Sequence, residues 1–290
     1  MSVMTDREEC VRSRRWVLLD TDIGTNIDDA VCLAYLLCQP ECLLLGVSMA
    51  TVGAERHLEL VRTVCAAAGQ APDVARSGAE AATMMRRHVL ARPGQVELLS
   101  IGPLTNVALL LESETGAAGT LAGLTMMCGT FDRGAPGPES PERNARSDPE
   151  ATAKVYAAPL RRCRSVGLNV TRQVTADRTE VRALLSQPAF APLRPMVDAW
   201  FAAPARGAGP GAERSETALN DPLAAVSMFE PGACAFERGT VEVAAGATVW
   251  HPGGPGAPHE IAITVDPVVV ERHLRRVMVG SGEAPSGEGT

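Results

Sequence analysis

The chain predicts an α/β fold: a single domain with a central, mostly parallel β-sheet flanked by helices. Three observations carry this. Short apolar runs alternate with segments of helical period along most of the length. The runs are continuously apolar instead of alternating, as strands covered on both faces require. At 290 residues, 46% hydrophobic and 21% charged, the chain can bury one sizeable core and remain soluble. The expected organisation is a flexible leader over residues 1–13, one domain over 14–279 and a disordered tail over 280–290.

Taken in order, Trp16 to Leu19 is a compact strand. Residues 28–38 follow with helical spacing (Val31, Leu33, Ala34, Leu36, Leu37) and stop before Pro40. Leu43 to Val47 is the next strand, and 55–68 places Leu58, Val61 and Cys65 on one helical face before Gly69 closes it. Strand 96–99, helix 104–112, strand 124–127, helix 149–157 and strand 164–168 continue the alternation. Helices near 177–185, 192–202 and 219–229, strands at 239–244 and 260–265, and a helix at 267–278 complete it. Gly129–Pro141, Ala203–Ser215 and His251–His259 carry so much glycine and proline, or so little pattern, that they read as loops, and long loops in a compact domain are lids or disorder. No internal repeat is present.

Composition excludes several classes of function. A net charge of −7 argues against a nucleic-acid groove, so no nucleic-acid partner is expected. No run of about 18–20 apolar residues occurs, which excludes a membrane partner through a spanning helix. No apolar run precedes Trp16, so no secretory leader is expected. The eight cysteines sit mostly within apolar runs, without C-x-x-C spacing, and read as buried thiols of a reducing, cytoplasmic compartment. Cys38 and Cys42 are spaced for zinc, but Gln39-Pro40-Glu41 between them reads as a helix-ending turn.

The informative segment is Asp20-Thr21-Asp22-Ile23-Gly24-Thr25-Asn26-Ile27-Asp28-Asp29. It follows a buried strand and precedes a helix, the carboxyl edge where open parallel sheets bind ligands. Four carboxylates on one tight loop repel one another. An N-cap role could account for Asp28 or Asp29, but not for Asp20 and Asp22, which end a buried strand. A hard divalent cation resolves the conflict, because carboxylate oxygens are its preferred ligands. Haloacid-dehalogenase phosphatases also open on an aspartate pair, but their pattern wants Thr or Val where Gly24 stands. They also need a downstream lysine, and the sole lysine, Lys154, falls inside a predicted helix.

The loop more closely resembles the Asp-x-Asp-x-Gly…Asp-Asp signature of the nucleoside hydrolase family, inosine–uridine preferring type, in the subset lengthened by two residues, here Thr25-Asn26. Four further segments follow in family order. Ile101-Gly102-Pro103-Leu104-Thr105-Asn106 resembles the Gly-Pro-Leu-Thr-Asn turn, and Met127-Cys128-Gly129 the Met-Gly-Gly strand end. Glu142-Arg143-Asn144 with Asp148-Pro149-Glu150-Ala151 resembles Glu-Phe-Asn…Asp-Pro-Glu-Ala, and Asn220-Asp221-Pro222-Leu223-Ala224 resembles His-Asp-Pro-Leu-Ala. The resemblance covers about residues 14–278.

What it implies is a Rossmann-like open sheet and calcium-dependent hydrolysis of the N-glycosidic bond of a ribonucleoside or related ribosyl compound, a small-molecule substrate. It implies metal ligation by Asp22, Asp29, the main-chain oxygen of Ile101 and Asp221, with Asp20 orienting them from behind. Asp22 would act as general base, Asp28 and Asp221 would take the ribose 2′- and 3′-hydroxyls, and Glu142 and Asn144 would hold more of the sugar, with Met127 facing it. Family analogy also implies a homodimer or homotetramer. Asp148-Pro149 reads as a cap and first helical residue and is left out of the site. Asp221 before Pro222 reads, taken alone, as another N-cap, and Met127 as ordinary core.

The chain departs from the family where the base would lie. Asn220 stands where histidine often donates a proton to the leaving base, and asparagine is no acid near neutral pH. Arg143 replaces an aromatic residue that lies against the base, Gly134-Ala135 replaces Gly-Asn, and Gly53 is followed by Ala54 instead of a sugar-binding asparagine. Three readings follow. Either the leaving group needs no strong acid, or a lid residue such as His57, His88 or Arg206 donates to it. Arg143 could instead recognise an anionic or modified substrate through a forked contact. The third reading is a catalytically silent ribosyl-binding homologue.

Overall fold

The structure, a computed structural model, describes residues 14–24, 26–51, 53, 55–112, 116–131, 141–205, 213–244 and 246–280. The expected leader and tail, Arg206, Gly134-Ala135, Thr25, Ala54 and the middles of the two Gly/Pro-rich segments lie outside the described residues.

Strand β1 (Arg15–Thr21) leads into helix α1 (Asp28–Cys38), β2 (Cys42–Met49), α2 (Glu55–Ala67), β3 (Asp73–Ala75) and α3 (Ala79–Ala91). Then come β4 (Val96–Ser100), α4 (Thr105–Leu111), α5 (Ala117–Thr120), β5 (Gly123–Met126), α6 (Arg143–Ser147), α7 (Pro149–Ala157) and β6 (Cys163–Ser165). The chain continues through α8 (Leu168–Thr171), β7 (Thr175–Asp177), α9 (Arg178–Leu184), a 3-10 segment (Pro188–Leu193), α10 (Arg194–Ala202), β8 (Glu216–Ala218) and α11 (Asn220–Phe229). It ends with β9 (Cys234–Ala244), β10 (Ala247–Pro252), β11 (His259–Val265) and α12 (Pro267–Met278).

Among the described residues, nine strands form one sheet in the order β10-β9-β11-β6-β5-β4-β1-β2-β3. Pairing is parallel from β3 through to β11, and antiparallel where β9 meets β11 and β10. From β1 the chain runs outward to β2 and β3, then returns to β4 on the other side of β1 and runs outward again. The strand order therefore reverses between β1 and β4, and a crevice opens beyond their carboxyl ends, where open α/β sheets bind ligands. Apolar residues fill both faces of the sheet. Val17, Leu19 and Val47 pack with α1 and α11 on one face, while Leu18, Leu98 and Leu124 pack with α3, α4 and α7 on the other.

The mostly parallel sheet matches expectation, but several elements differ, among them the short β7–β8 pair, which was not expected, and β6, which ends at Ser165 instead of 168. Nothing was expected between Gly69 and Val96, yet β3 and α3 lie there. The buried side of α3 is only Ala81, Met84, Met85 and Val89, and alanine gives a faint hydrophobic signal. The expected loop from His251 begins as strand, because β10 reaches Pro252 and pairs with β9 as a hairpin. Strand β9 starts at Cys234 instead of 239, its exposed outer residues hiding the period. Among the described residues no helix is long and apolar enough to cross a membrane.

Candidate active site and metal centre

The reversal in strand order brings the end of β1 beside the end of β4. Asp20 pairs in register with Ser100 and Ser48, and the Ile101 N–H donates to the Asp20 carbonyl at 2.8 Å. Gly102 permits this approach, since a Cβ there would lie 2.7 Å from Ala50 Cβ and 3.1 Å from the Asp22 nitrogen. The acidic loop then turns at Gly24, whose φ of +107° favours glycine and whose Cα packs beneath the His57 ring.

Helices α1 and α11 pack side by side, and each starts at the crevice. No side chain caps either helix: the N-caps are Ile27 and Leu219. The capping explanation for Asp28, Asp29 and Asp221 therefore fails. All three are buried in the first turn of their helices, where the helix dipole favours negative charge. Their carboxylate oxygens lie within 4.8 Å of one another, although Asp221 is almost two hundred residues from the other two. Asn220 Nδ2 ties the helices together by donating to Asp28 Oδ2 at 2.9 Å, and Thr21 Oγ1 donates to Asp29 Oδ1 at 2.6 Å.

Burial pushes the Asp28 carboxyl up to about 6, against the opposing amide of Asn220. Asp29 and Asp221 are driven well above the ordinary carboxylate range, by burial first and then by the charge of Asp28. Asp28 Oδ1 and Asn220 Oδ1 are buried with no hydrogen-bond partner among the described residues. Close, desolvated, oxygen-only donors with unmet capacity fit a hard divalent cation.

Asp22, also buried, lines the same cavity of about 550 Å³ as these residues, together with Ile101, Met127, Glu142, Arg143 and Asn144. Its carboxylate is ion-paired with the half-exposed guanidinium of Arg143. The expected ligand set of Asp22, Asp29, Ile101 and Asp221 thus shares one cavity, but the tight carboxylate cluster contains Asp28 where Asp22 was expected. Asp20 lies behind the cavity wall. Its Oδ1 accepts from Ser48 Oγ at 2.5 Å and Asn106 Nδ2 at 2.8 Å, and burial raises its carboxyl to about 6.

Glu142 caps α6 by accepting from the Asn144 and Ala145 N–H groups, and it also accepts from Gly129 N–H. Asn144 Nδ2 donates to the carbonyls of Ile101 (3.1 Å) and Met127 (3.0 Å), which fixes the amide and leaves Oδ1 buried without a partner among the described residues. Asp148 caps α7 through Ala151 N–H and accepts from Thr105 Oγ1, as its exclusion from the site requires. His57 and His88 are not among the cavity-lining residues. His88 is paired with Asp73, and His57 accepts from Arg56.

Sequence reasoning missed Thr21, which orients Asp29, whereas Asn106 of the Gly-Pro-Leu-Thr-Asn turn has a structural role in orienting Asp20. It also missed the outer wall of the cavity, formed by Asn26, Leu168, Trp200, Ala205, Arg214, Ser215 and Glu216. The available signal was the position of Trp200 and Arg214 beside the two ends of the Gly/Pro-rich segment read as a loop, either lid or disorder.

Residues 67–272 match the family model described as inosine-uridine preferring nucleoside hydrolase. The chain belongs to this family. The matched range begins after the acidic loop, so the loop's membership in a nucleoside hydrolase site rests on its meeting with Asp221. Among curated relatives, the chain is 35% identical over 82 residues to probable uridine nucleosidase 2 of Oryza sativa subsp. japonica, covering 28% of this chain and 24% of that protein. It is 30% identical over 193 residues to the non-specific ribonucleoside hydrolase RihC of Shigella boydii serotype 4 (strain Sb227), covering 54% and 62% respectively. These matches span less than two thirds of either relative. A solved inosine-guanosine nucleoside hydrolase shares the fold at a TM-score of 0.74 and 17% identity, over 91% of this chain and 98% of that one.

Proposed function

We propose that this nucleoside hydrolase family member cleaves the N-glycosidic bond of a ribonucleoside or related ribosyl compound with water, giving ribose and free base, and that it requires calcium. The observation that carries the reading is the meeting of Asp28 and Asp29 with Asp221 in a cavity that also holds Asp22 and the Ile101 carbonyl. Asp22, Asp29, Asp221 and Ile101 would hold the ion, with Asp28 adjoining them. When bound, a divalent cation neutralises the cluster and makes water more acidic.

Asp22 accepts the proton of the attacking water as its oxygen adds to the sugar C1′. Asp28 and Asp221 accept hydrogen bonds from the ribose hydroxyls and fix the ring. As the C1′–N bond breaks, positive charge develops on the sugar, and the surrounding carboxylates with Asn144 Oδ1 stabilise it. Glu142 supports Asn144 from the start of α6, and Met127 closes the wall behind the sugar. The substrate is thus a small molecule held by acceptors. The free thiols of the described cysteines, buried except at Cys38, fit a cytoplasmic setting, and a homodimer or homotetramer is the family-based expectation for the assembly.

Ribose release from a panel of purine, pyrimidine and modified nucleosides, with calcium and with chelator, tests the reading. Calcium-dependent release that Asp22→Ala abolishes is expected, and no release from any nucleoside would overturn it. The Arg143–Asp22 ion pair favours a second reading, a silent ribosyl-binding homologue whose base is masked. Calcium-dependent nucleoside binding without ribose release would select that form.

A further inference from the structure

The hydrolysis proposed above assigns no proton donor to the departing base. Asn220 offers none, and its Nδ2 is already donated to Asp28. No histidine, lysine, tyrosine or cysteine lines the cavity among the described residues. What the outer wall does offer is Arg214. Its guanidinium lies 3.6 Å from the centroid of the Trp200 ring, with Nη1 3.5 Å from the Trp200 carbonyl oxygen. Arg178, by contrast, is neutralised by Glu213, the residue before Arg214. Arg214 has no carboxylate partner among the described residues, although it borders a cavity floored by four aspartates. A half-buried cation held over an indole, with no carboxylate partner among the described residues and at the edge of an acidic cavity, is positioned for a ligand's negative charge.

We propose that Arg214, held on Trp200, binds the leaving base and stabilises the negative charge it acquires, in place of a general acid. This rests on the hydrolase reading. The electron pair of the C1′–N bond passes to the base nitrogen and spreads onto oxo oxygens facing the guanidinium. Water supplies the hydroxyl of C1′, and its proton goes to Asp22. The base leaves as an anion and takes a proton from solvent, so riboside plus water gives ribose plus neutral base. Guanidinium does not release its own proton near neutral pH, so its contribution is charge and hydrogen bonding. Dependence on Arg214 is therefore greatest for ribosides whose base carries oxo oxygens beside an acidic N–H, which can face the guanidinium. Adenosine, whose base has no oxo oxygen, should depend on Arg214 least among the nucleosides.

The test compares Arg214→Gln, Arg214→Lys and Glu216→Gln with wild type on uridine, inosine, adenosine and 4-nitrophenyl riboside, whose phenolate departs without protonation. Arg214→Gln should lower kcat on uridine and inosine by about 10²-fold, the scale of losing one charge-stabilising donor. The loss on 4-nitrophenyl riboside should be clearly smaller, because its phenolate is already a stable anion, and a thermal unfolding midpoint equal to that of wild type shows that the variant is folded. Arg214→Lys should restore part of the loss by keeping the charge. An equal loss on all four substrates overturns the proposal. So does a leaving-group-dependent loss in Glu216→Gln that Arg214→Gln lacks, because it would assign the role to an acid. If wild type cleaves not even the aryl riboside, the hydrolase reading itself falls, and this inference with it.

Discussion

Asp29→Asn separates the electrostatic cost of the carboxylate cluster from its service to a cation. The substitution removes one charge but keeps an oxygen for the Thr21 hydroxyl, which donates to Asp29 Oδ1 at 2.6 Å. Two full charges at the 4.8 Å limit of the cluster repel by about 3.5 kcal/mol at an effective dielectric of about 20. Asp29 faces two such partners, but proton uptake by the cluster already relieves part of this, so a gain of about 1–3 kcal/mol remains in chelator at pH 8. For a chain of this size that raises Tm by roughly 2–6 °C. Calcium at a hundred times its Kd stabilises the wild type by about 2.7 kcal/mol, and the variant forfeits most of that. The order of stability should therefore invert, with the variant higher in chelator and the wild type higher in calcium. The gap in chelator should also narrow toward pH 5. A carboxyl raised to about 6, as Asp28 is, favours folding when protonated, and that contribution is lost as pH rises through 6. Differential scanning fluorimetry at pH 5 and pH 8 with and without calcium measures all four corners. A variant less stable than wild type in chelator at pH 8 would refute the repulsion argument and leave Asp29 as a structural acceptor.

Three further outcomes are expected. Arg143→Gln removes the guanidinium from Asp22 and should tighten calcium binding about tenfold, equivalent to about 1.4 kcal/mol; isothermal titration at low salt checks this, and unchanged or weaker affinity contradicts it. Asn106 is fully buried and donates to Asp20 and the Met49 carbonyl while accepting from Gly78 N–H, so Asn106→Leu should cost about 2–4 kcal/mol in urea unfolding by stranding those groups; a loss under 1 kcal/mol would show that water replaces it. His259 is held neutral, since Nδ1 accepts from Val241 N–H and Nε2 then donates to the Tyr156 carbonyl, and burial lowers its pKa below 6.5. Its contribution is complete above pH 6.5 and shrinks as pH falls toward the depressed value, so His259→Gln should flatten the decline of the urea midpoint between pH 7.5 and 5; an unaltered slope would exonerate this histidine.

The alternation of apolar runs and helical periods was enough to read a mostly parallel sheet, because burial on both faces leaves a continuous apolar imprint in each strand. The acidic run from Asp20 to Asp29 was equally legible, since four like charges on one short loop demand a compensating partner. Other features left little imprint. Helix α3 buries mainly alanine and methionine, and the β9–β10 hairpin exposes alternate residues at the sheet edge. What local sequence could not decide was which explanation of each aspartate held. Asp148 and Asp221 both precede a proline at the start of a helix, yet Asp148 caps its helix and Asp221 turns toward Asp28 and Asp29. Only the packing of α1 against α11 distinguishes them. The pairing of Arg143 with Asp22 and the stacking of Arg214 on Trp200 likewise depend on helices and loops far apart in the chain. Residue type and period record how a segment is buried, whereas the chemistry of this site comes from distances between segments, which the fold alone sets.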